Sequence, residues 1–305
     1  MAKPSISVVI PVYNQERYIE ETLQSVLIQE GVNFEIIVVN DGSTDSSAEI
    51  LRNYWKRIIL VEQKNRGVAE ARNAGVWAAG AELIAFLDGD DRYLPGHLAR
   101  TLQLAEQHPQ TILFYGDAEL IDENGEKLSI QRCNPKPELK KLILANFIIA
   151  SSVIARKKLF DQGQWFESFH PSEDWDLWLR AIELGQFIHY PWIGTQYRKH
   201  QQGAIKSKKI LAEEMALKVL DRVWERHPDA GGTLKNTALA NAYYESLIRF
   251  LAAGDGEEAR KRALLCLGKN PLMIKAWTAF AFSLLPDSIV KTVVNARKEI
   301  RKWLA

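Results

Sequence analysis

Asp88, Asp90 and Asp91 follow directly on an apolar run in LIAFLDGDD (residues 83–91). Three carboxylates this close cannot all be held as anions near a core without a compensating cation. A divalent, oxygen-preferring metal is the natural compensation. The short apolar run reads as a strand buried on both faces. The acids therefore fall at a strand's C-terminal end, where open α/β sheets bind ligands. The pattern predicts a metal–diphosphate site. The competing reading is a solvated acidic turn, which Gly89 would serve equally well.

A second acidic pair, Glu173-Asp174, lies in FESFHPSEDWDLWLR (166–180). Trp175, Leu177, Trp178, Ala181 and Ile182 follow it at helical spacing. Ser172 is a candidate N-cap, and acids suit the first turn of a helix, so capping alone would also explain the pair. Asp176 points about 200° round the helix from Asp174, so the two cannot share one role. Asp41 ends a third run, FEIIVV (34–39), in the loop NDGSTD. There the competing reading is an Asx-turn or cap.

The elements that must position these acids alternate. Strands are expected at 6–10, 34–39, 58–62 and 83–87, with Pro11 ending the first and Val12-Tyr13-Asn14 forming its loop. Between them, helices are expected over 18–29, closed by Gly31, through Ile50, Leu51 and Tyr54, capped by Thr44 or Asp45, and over 68–79. Such alternation is the signature of a parallel, doubly wound sheet. Asp41 and Asp88 then project over the same edge. Further on, a helix is expected over 95–106 and a strand over 111–116. A hairpin turns at Asn124-Gly125. A helix over 139–146, a strand over 148–155 carrying Ser151 and Ser152, and an edge segment over 187–197 broken by Pro191 complete this part.

Four segments in order, ISVVIPVYN, IIVVNDGSTD, NRGVAEARNAG and LIAFLDGDD, resemble the nucleotide-sugar half of a family 2 inverting glycosyltransferase with the GT-A fold. The resemblance covers about residues 5 to 205. It implies that Pro11, Val12 and Tyr13 flank the nucleotide base and that Asp41 accepts a hydrogen bond from a base N–H such as that of uracil. Arg66 and Arg72 would face the base or diphosphate, with Asn73 anchoring the loop. Asp88-Gly89-Asp90 would be the DxD motif, Asp88 holding the ribose or a metal-bound water and Asp90 ligating Mn2+ or Mg2+. Asp91 would order the turn. Tyr115 and Asp117 would line the donor sugar. EDWDLWLR resembles the acceptor-site ED motif, which makes Asp174 the general base and Glu173 the residue that positions it or the acceptor. Tyr197-Arg198-Lys199-His200 resembles the closing YRxH motif. Arg198 would neutralise the diphosphate, and His200 would ligate the metal or contact the diphosphate. Residues 201–209 resemble a loop that orders over the donor.

The resemblance implies a mixed, mainly parallel GT-A sheet over residues 1–208, divided into a nucleotide-sugar half (1–116) and an acceptor half (117–208). Residues 209–305 read as entirely helical. ALANAYYESLIRFLAAGDGEEARKRALLCLGKNPLMIKAW resembles one tetratricopeptide-type hairpin and the start of the next. It is expected to pack on the catalytic domain or on an equivalent subunit, as in a homodimer, or to dock a partner. The tail from Pro286 onward has apolar positions at Ile289, Val293, Ile300 and Leu304, and five basic residues against the two acids Asp287 and Glu299. That pattern suits a peripheral contact with an anionic inner membrane surface as well as an ordinary packed helix.

Composition narrows the partners. The 305 residues carry a net charge of +1, which offers no electrostatic argument for nucleic acid. Cys133 and Cys266 form no metal-binding spacing and read as free thiols of a cytoplasmic protein. No uninterrupted apolar stretch is long enough to span a bilayer, and the N-terminal stretch lacks the basic start and long core of a signal peptide. The expected partners are a nucleotide-sugar donor and a glycan or lipid-linked acceptor of surface polysaccharide or glycolipid synthesis. A DxD phosphohydrolase and an inactive nucleotide-sugar-binding module are the alternatives.

Overall fold

The structure is a computed structural model that describes residues 3–200 and 206–286. The chain divides into two compact units, Met1–Glu138 with Phe147–Lys199, and Leu139–Asn146 with His200–Ala305. The division thus falls at 199/200 rather than 208/209, and the short helix at 139 goes with the helical unit.

The first unit is built on a nine-stranded mixed sheet. Its strands are β1 (Ile6–Val12), β2 (Phe34–Asn40), β3 (Ile59–Glu62), β4 (Leu83–Phe86), β5 (Arg92–Tyr93), β6 (Leu113–Ile121), β7 (Lys127–Gln131), β8 (Ile154–Arg156) and β9 (Phe187–Arg198). The order is β3-β2-β1-β4-β8-β6-β9-β5, with β7 on β6. The β3-β2-β1-β4 half is parallel, while β8 runs antiparallel between β4 and β6. In register, Val12 lies opposite Asn40, and Val9 opposite Phe86. The C-terminal ends of β1, β2 and β4 therefore share one edge, and Tyr13, Asp41 and Asp88 leave from it.

The helices of this unit are α1 (Ile19–Leu27), α2 (Ser47–Arg52), α3 (Val68–Ala78) and α4 (His97–Gln107); beyond α5, described below, follow α6 (Lys158–Asp161) and α7 (Glu173–Ala181). Alternation along β1 assigns the two faces. Ile6, Val8 and Ile10 pack with Ile19, Leu23, Val26, Leu51 and Leu98 of α1, α2 and α4. Val9 faces α3, where Gly75 is needed: a Cβ there would stand 2.3 Å from Val9 Cγ1. On that same side Phe86 meets Phe160, Phe166 and Trp178, with ring centroids 6.0, 5.2 and 6.5 Å apart. This aromatic cluster seats α7 beside the end of β4.

Two expected strands differ from what forms. Residues 150–152 make a 3-10 turn, and only Ile154–Arg156 is strand. β9 continues through Pro191 as one strand, parallel to β6 from Phe187 to Tyr190 and again from Thr195 to Arg198, with the register shifting between. Its end also pairs with β5, which brings Arg198 against the acidic turn.

In the second unit, α5 (Leu139–Leu144) packs with α9 (Gly232–Ala253), and Asn241 Nδ2 donates to the Leu144 carbonyl at 3.0 Å. α8 (Lys206–Arg226) precedes the hairpin of α9 with α10 (Gly256–Lys269), and α11 (Ile274–Ser283) follows. Gly254 takes a left-handed conformation at the hairpin, and the Asp255 carboxylate caps α10 by accepting from Glu258 N–H. Residues 206–209 belong to α8 rather than to a loop; 201–205 and the basic tail from 287 lie outside the described residues. Among the described residues no helix is long and apolar enough to cross a membrane. Both cysteines are free and buried.

Candidate active site

Asp41, 2% exposed at the end of β2, organises the loop before α3. Its Oδ1 accepts from Gln63 Nε2 (2.7 Å) and Arg66 N–H (2.9 Å), and its Oδ2 from Gly67 N–H (2.8 Å). An ionised carboxylate offers about four acceptor positions, so roughly one remains for a ligand. Arg66 contributes its backbone here, while its side chain is exposed and pairs with Glu70 at 3.0 Å. Tyr13 is 45% exposed beside the buried Pro11 and Val12. Asn14 follows in a left-handed conformation (φ 54°), which asparagine tolerates. Its side-chain oxygen accepts from Thr44 N–H at 2.8 Å, tying the tyrosine loop to the loop after Asp41.

The acidic turn after β4 is fixed by its backbone. Asp91 N–H donates to the Asp88 carbonyl at 3.0 Å, and the Thr22 hydroxyl lies 3.0 and 2.8 Å from the carbonyls of Gly89 and Asp91. Gly89 sits close on Pro11, where a Cβ would stand 3.1 Å from the carbonyl oxygen. Ser151, in the 3-10 turn, accepts from Asp88 N–H at 3.1 Å and donates to Asp91. Arg198 supplies a backbone N–H to Asp91 (2.8 Å) and its Nε to the Asp90 carbonyl (2.8 Å). The rest of its guanidinium reaches Glu21 and the carbonyls of Asp122 and Glu123 and covers the Tyr18 ring. Arg198 is 3% exposed, and these contacts brace the turn.

Asp91 is fully buried, and burial, reinforced by Asp90 and Asp88, pushes its carboxyl well up. Burial also raises Asp88, against the pull of Arg72 and with added repulsion from Asp90. Asp88 and Asp90 are half-buried. Two half-buried carboxylates that repel each other at a sheet edge offer hard oxygen donors, the donor type that Mg2+ and Mn2+ prefer. Among the described residues no three His, Cys, Asp or Glu side chains are gathered to hold a metal ion. His200 is exposed and belongs to the second unit.

On α7 the neighbours Glu173 and Asp174 are treated differently. Glu173 is 4% exposed, its Oε1 2.8 Å from Arg72 Nη1 and its Oε2 3.3 Å from His170 Nδ1. Burial alone would raise its pKa, but His170 and Arg72 bring it to about 2. Arg72 also donates from Nη2 to Asp88 Oδ1 at 2.7 Å. Burial works against its charge, and Asp88 and Glu173 more than offset this, so its pKa is raised. Asp174 is half-buried, and its Oδ1 accepts from Trp175 N–H at 2.6 Å. Asp176 faces inward and pairs with Arg180 at 2.8 Å. Asn73 clamps the Phe166 backbone in both directions, at 2.8 and 3.0 Å. Tyr197 opens the YRxH motif, which by itself implies no role for the tyrosine. Beyond burial, the charges of Asp91, Asp88, Asp90 and Asp174 all raise its phenol, so both acidic constellations act on one side chain. Asp117 is held by Arg132, His189 and Cys133 N–H at 2.6, 3.0 and 2.9 Å.

Residues 7–162 match the family model described as glycosyl transferase family 2. An uncharacterized glycosyltransferase of Rickettsia bellii is 31% identical over 219 residues, 68% of this chain and 31% of that protein. An uncharacterized glycosyltransferase of Methanocaldococcus jannaschii is 32% identical over 193 residues, 60% of this chain and 66% of that protein. In the Rickettsia relatives the matched part spans between 31% and 59% of their length. Among solved structures, S. aureus TarS in complex with UDP-GlcNAc superposes with a TM-score of 0.58 at 18% identity, over 92% of this chain and 90% of that one. The mannosyltransferase PcManGT of Pyrobaculum calidifontis, in complex with GDP-Man and Mn2+, does so with a TM-score of 0.55 at 17% identity, over 96% and 88%. Both share the GT-A fold with this chain.

Proposed function

The chain belongs to glycosyl transferase family 2, and from that premise we propose that it transfers a sugar from a nucleoside-diphosphate donor, a UDP-sugar by preference, to a hydroxyl of a glycan or lipid-linked acceptor, with inversion. The observation that carries the reading is the contrast on α7. Glu173 is held as an anion by Arg72 and His170, while Asp174 beside it remains half-exposed. Asp174, the more exposed of the two acids, is the one we assign to take the proton.

The roles follow from the chain's own groups. Tyr13 offers an exposed ring for a base to stack on. The remaining acceptor position of Asp41 suits an imide N–H. Asp90 and Asp88 would hold a Mn2+ or Mg2+ ion, which when bound stabilises negative charge on the leaving diphosphate. Asp174 removes the acceptor hydroxyl's proton as that oxygen bonds to the anomeric carbon. The bond from that carbon to the phosphate oxygen breaks, its electrons leave with the nucleoside diphosphate, and one displacement inverts the centre. Surface polysaccharide or glycolipid synthesis at the cytoplasmic membrane face is the setting this chemistry serves.

The test is release of nucleoside diphosphate from UDP-, GDP- and dTDP-sugars with Mn2+. Asp174→Asn is expected to lower turnover by about 10²–10⁴-fold while donor binding persists. Release of inorganic phosphate would indicate a hydrolase instead, and binding without turnover a non-catalytic module.

A further inference from the structure

The Arg72 guanidinium stands between the two acidic constellations. One end reaches Glu173 on α7 at 2.8 Å and the other reaches Asp88 after β4 at 2.7 Å. Its side chain is 4% exposed, and the Phe166 ring lies 5.4 Å from its Cζ. Two carboxylates on separate elements thus share one unit of positive charge. A planar guanidinium can serve both through its two ends, which the point charge of an ammonium cannot do equally. Burial limits screening by water, so charge drawn by one acid is withheld from the other.

We infer that Arg72 is a positioning residue that couples the two acidic sites, so that the charge of Glu173 sets how strongly the Asp88 end of the turn attracts a cation-bound nucleoside diphosphate. This rests on the glycosyl-transfer reading above. Neutralising Glu173 gives Asp88 the whole guanidinium and weakens its pull on the ligand. In the other direction, a donor that satisfies Asp88 leaves Arg72 to Glu173 and tightens the first turn of α7 beside Asp174. The donor side and the proton-accepting side then communicate through one side chain.

The test is calorimetric titration of Mn2+·UDP, repeated with Mn2+·GDP, into wild type, Glu173→Gln, Arg72→Lys and the double variant, with thermal melts confirming that each is folded. Glu173→Gln is expected to weaken binding by about threefold or more, and to do so only where Arg72 is present, since members of one network are non-additive. Unchanged affinity in Glu173→Gln, or the same loss in both backgrounds, overturns the coupling. Should Arg72→Lys not fold, hydrogen exchange gives the reciprocal measurement. Saturating Mn2+·UDP must protect the first-turn amides of α7 in wild type and not in Glu173→Gln, and equal behaviour overturns the proposal. Wild type that binds neither nucleotide would overturn the functional reading itself, an outcome distinct from both.

Discussion

Burial alone would push the Glu173 carboxyl up, yet His170 and Arg72 bring it to about 2. A carboxyl depressed on folding contributes stability that is fully present above its unfolded pKa near 4.5 and is lost as pH falls through the folded value. The contribution is on the order of 3 kcal/mol. Glu173→Gln should therefore be less stable than wild type at pH 7, with the gap closing between about pH 4.5 and pH 2. Denaturant unfolding at several pH values checks this, and a gap equally wide at pH 3 and pH 7 would count against it. The acids themselves were legible in the sequence, because three carboxylates after an apolar run are hard to explain otherwise. Their supports were not. Thr22, Ser151 and Arg198 reach the turn across 63 to 107 residues of chain, and no local spacing encodes such a contact. Arg198 illustrates the cost: the motif suggested a diphosphate ligand, whereas its guanidinium is spent on Glu21 and backbone carbonyls.

At the scale of elements, apolar periodicity revealed β1, β2, β4, α1, α3 and α7, since each buries one face or both against the sheet. It failed at residues 150–152, where Ala-Ser-Ser, set between the β-branched pairs Ile148-Ile149 and Val153-Ile154, reads as strand but forms a tight turn. That turn aims Ser151 at Asp88 and Asp91, so a departure from regular strand is part of the site. The packing of α3 on β1 carries its own prediction. Gly75→Ala would place a methyl 2.3 Å from Val9 Cγ1. A cost of about 1–3 kcal/mol is expected from such overpacking. Val9→Ala in the same protein should recover much of it, as a double-mutant cycle followed by thermal melts would show. Simple additivity of the two losses would place the strain elsewhere.

For the whole molecule, the chain passes between its two units at three places, because Leu139–Asn146 joins the helical unit before the chain returns at Phe147. Sequence reading placed this helix in the acceptor half, since nothing in its composition says where its buried Leu142 and Ile143 find partners. Removing residues 230–305 takes away α9, on which α5 packs. The truncated chain is expected to self-associate on size-exclusion chromatography. Substituting Leu142→Ser and Ile143→Ser is expected to reduce that association, and a truncated chain that stays monomeric without these changes would refute the expectation.

The position of α5 also sets an order of events during synthesis. α9 emerges from the ribosome roughly 100 residues after α5, a delay on the order of 5–20 s at ordinary elongation rates. For that interval the strands before Glu138 can already begin to pair, while Leu142 and Ile143 wait on the nascent chain for a helix not yet made.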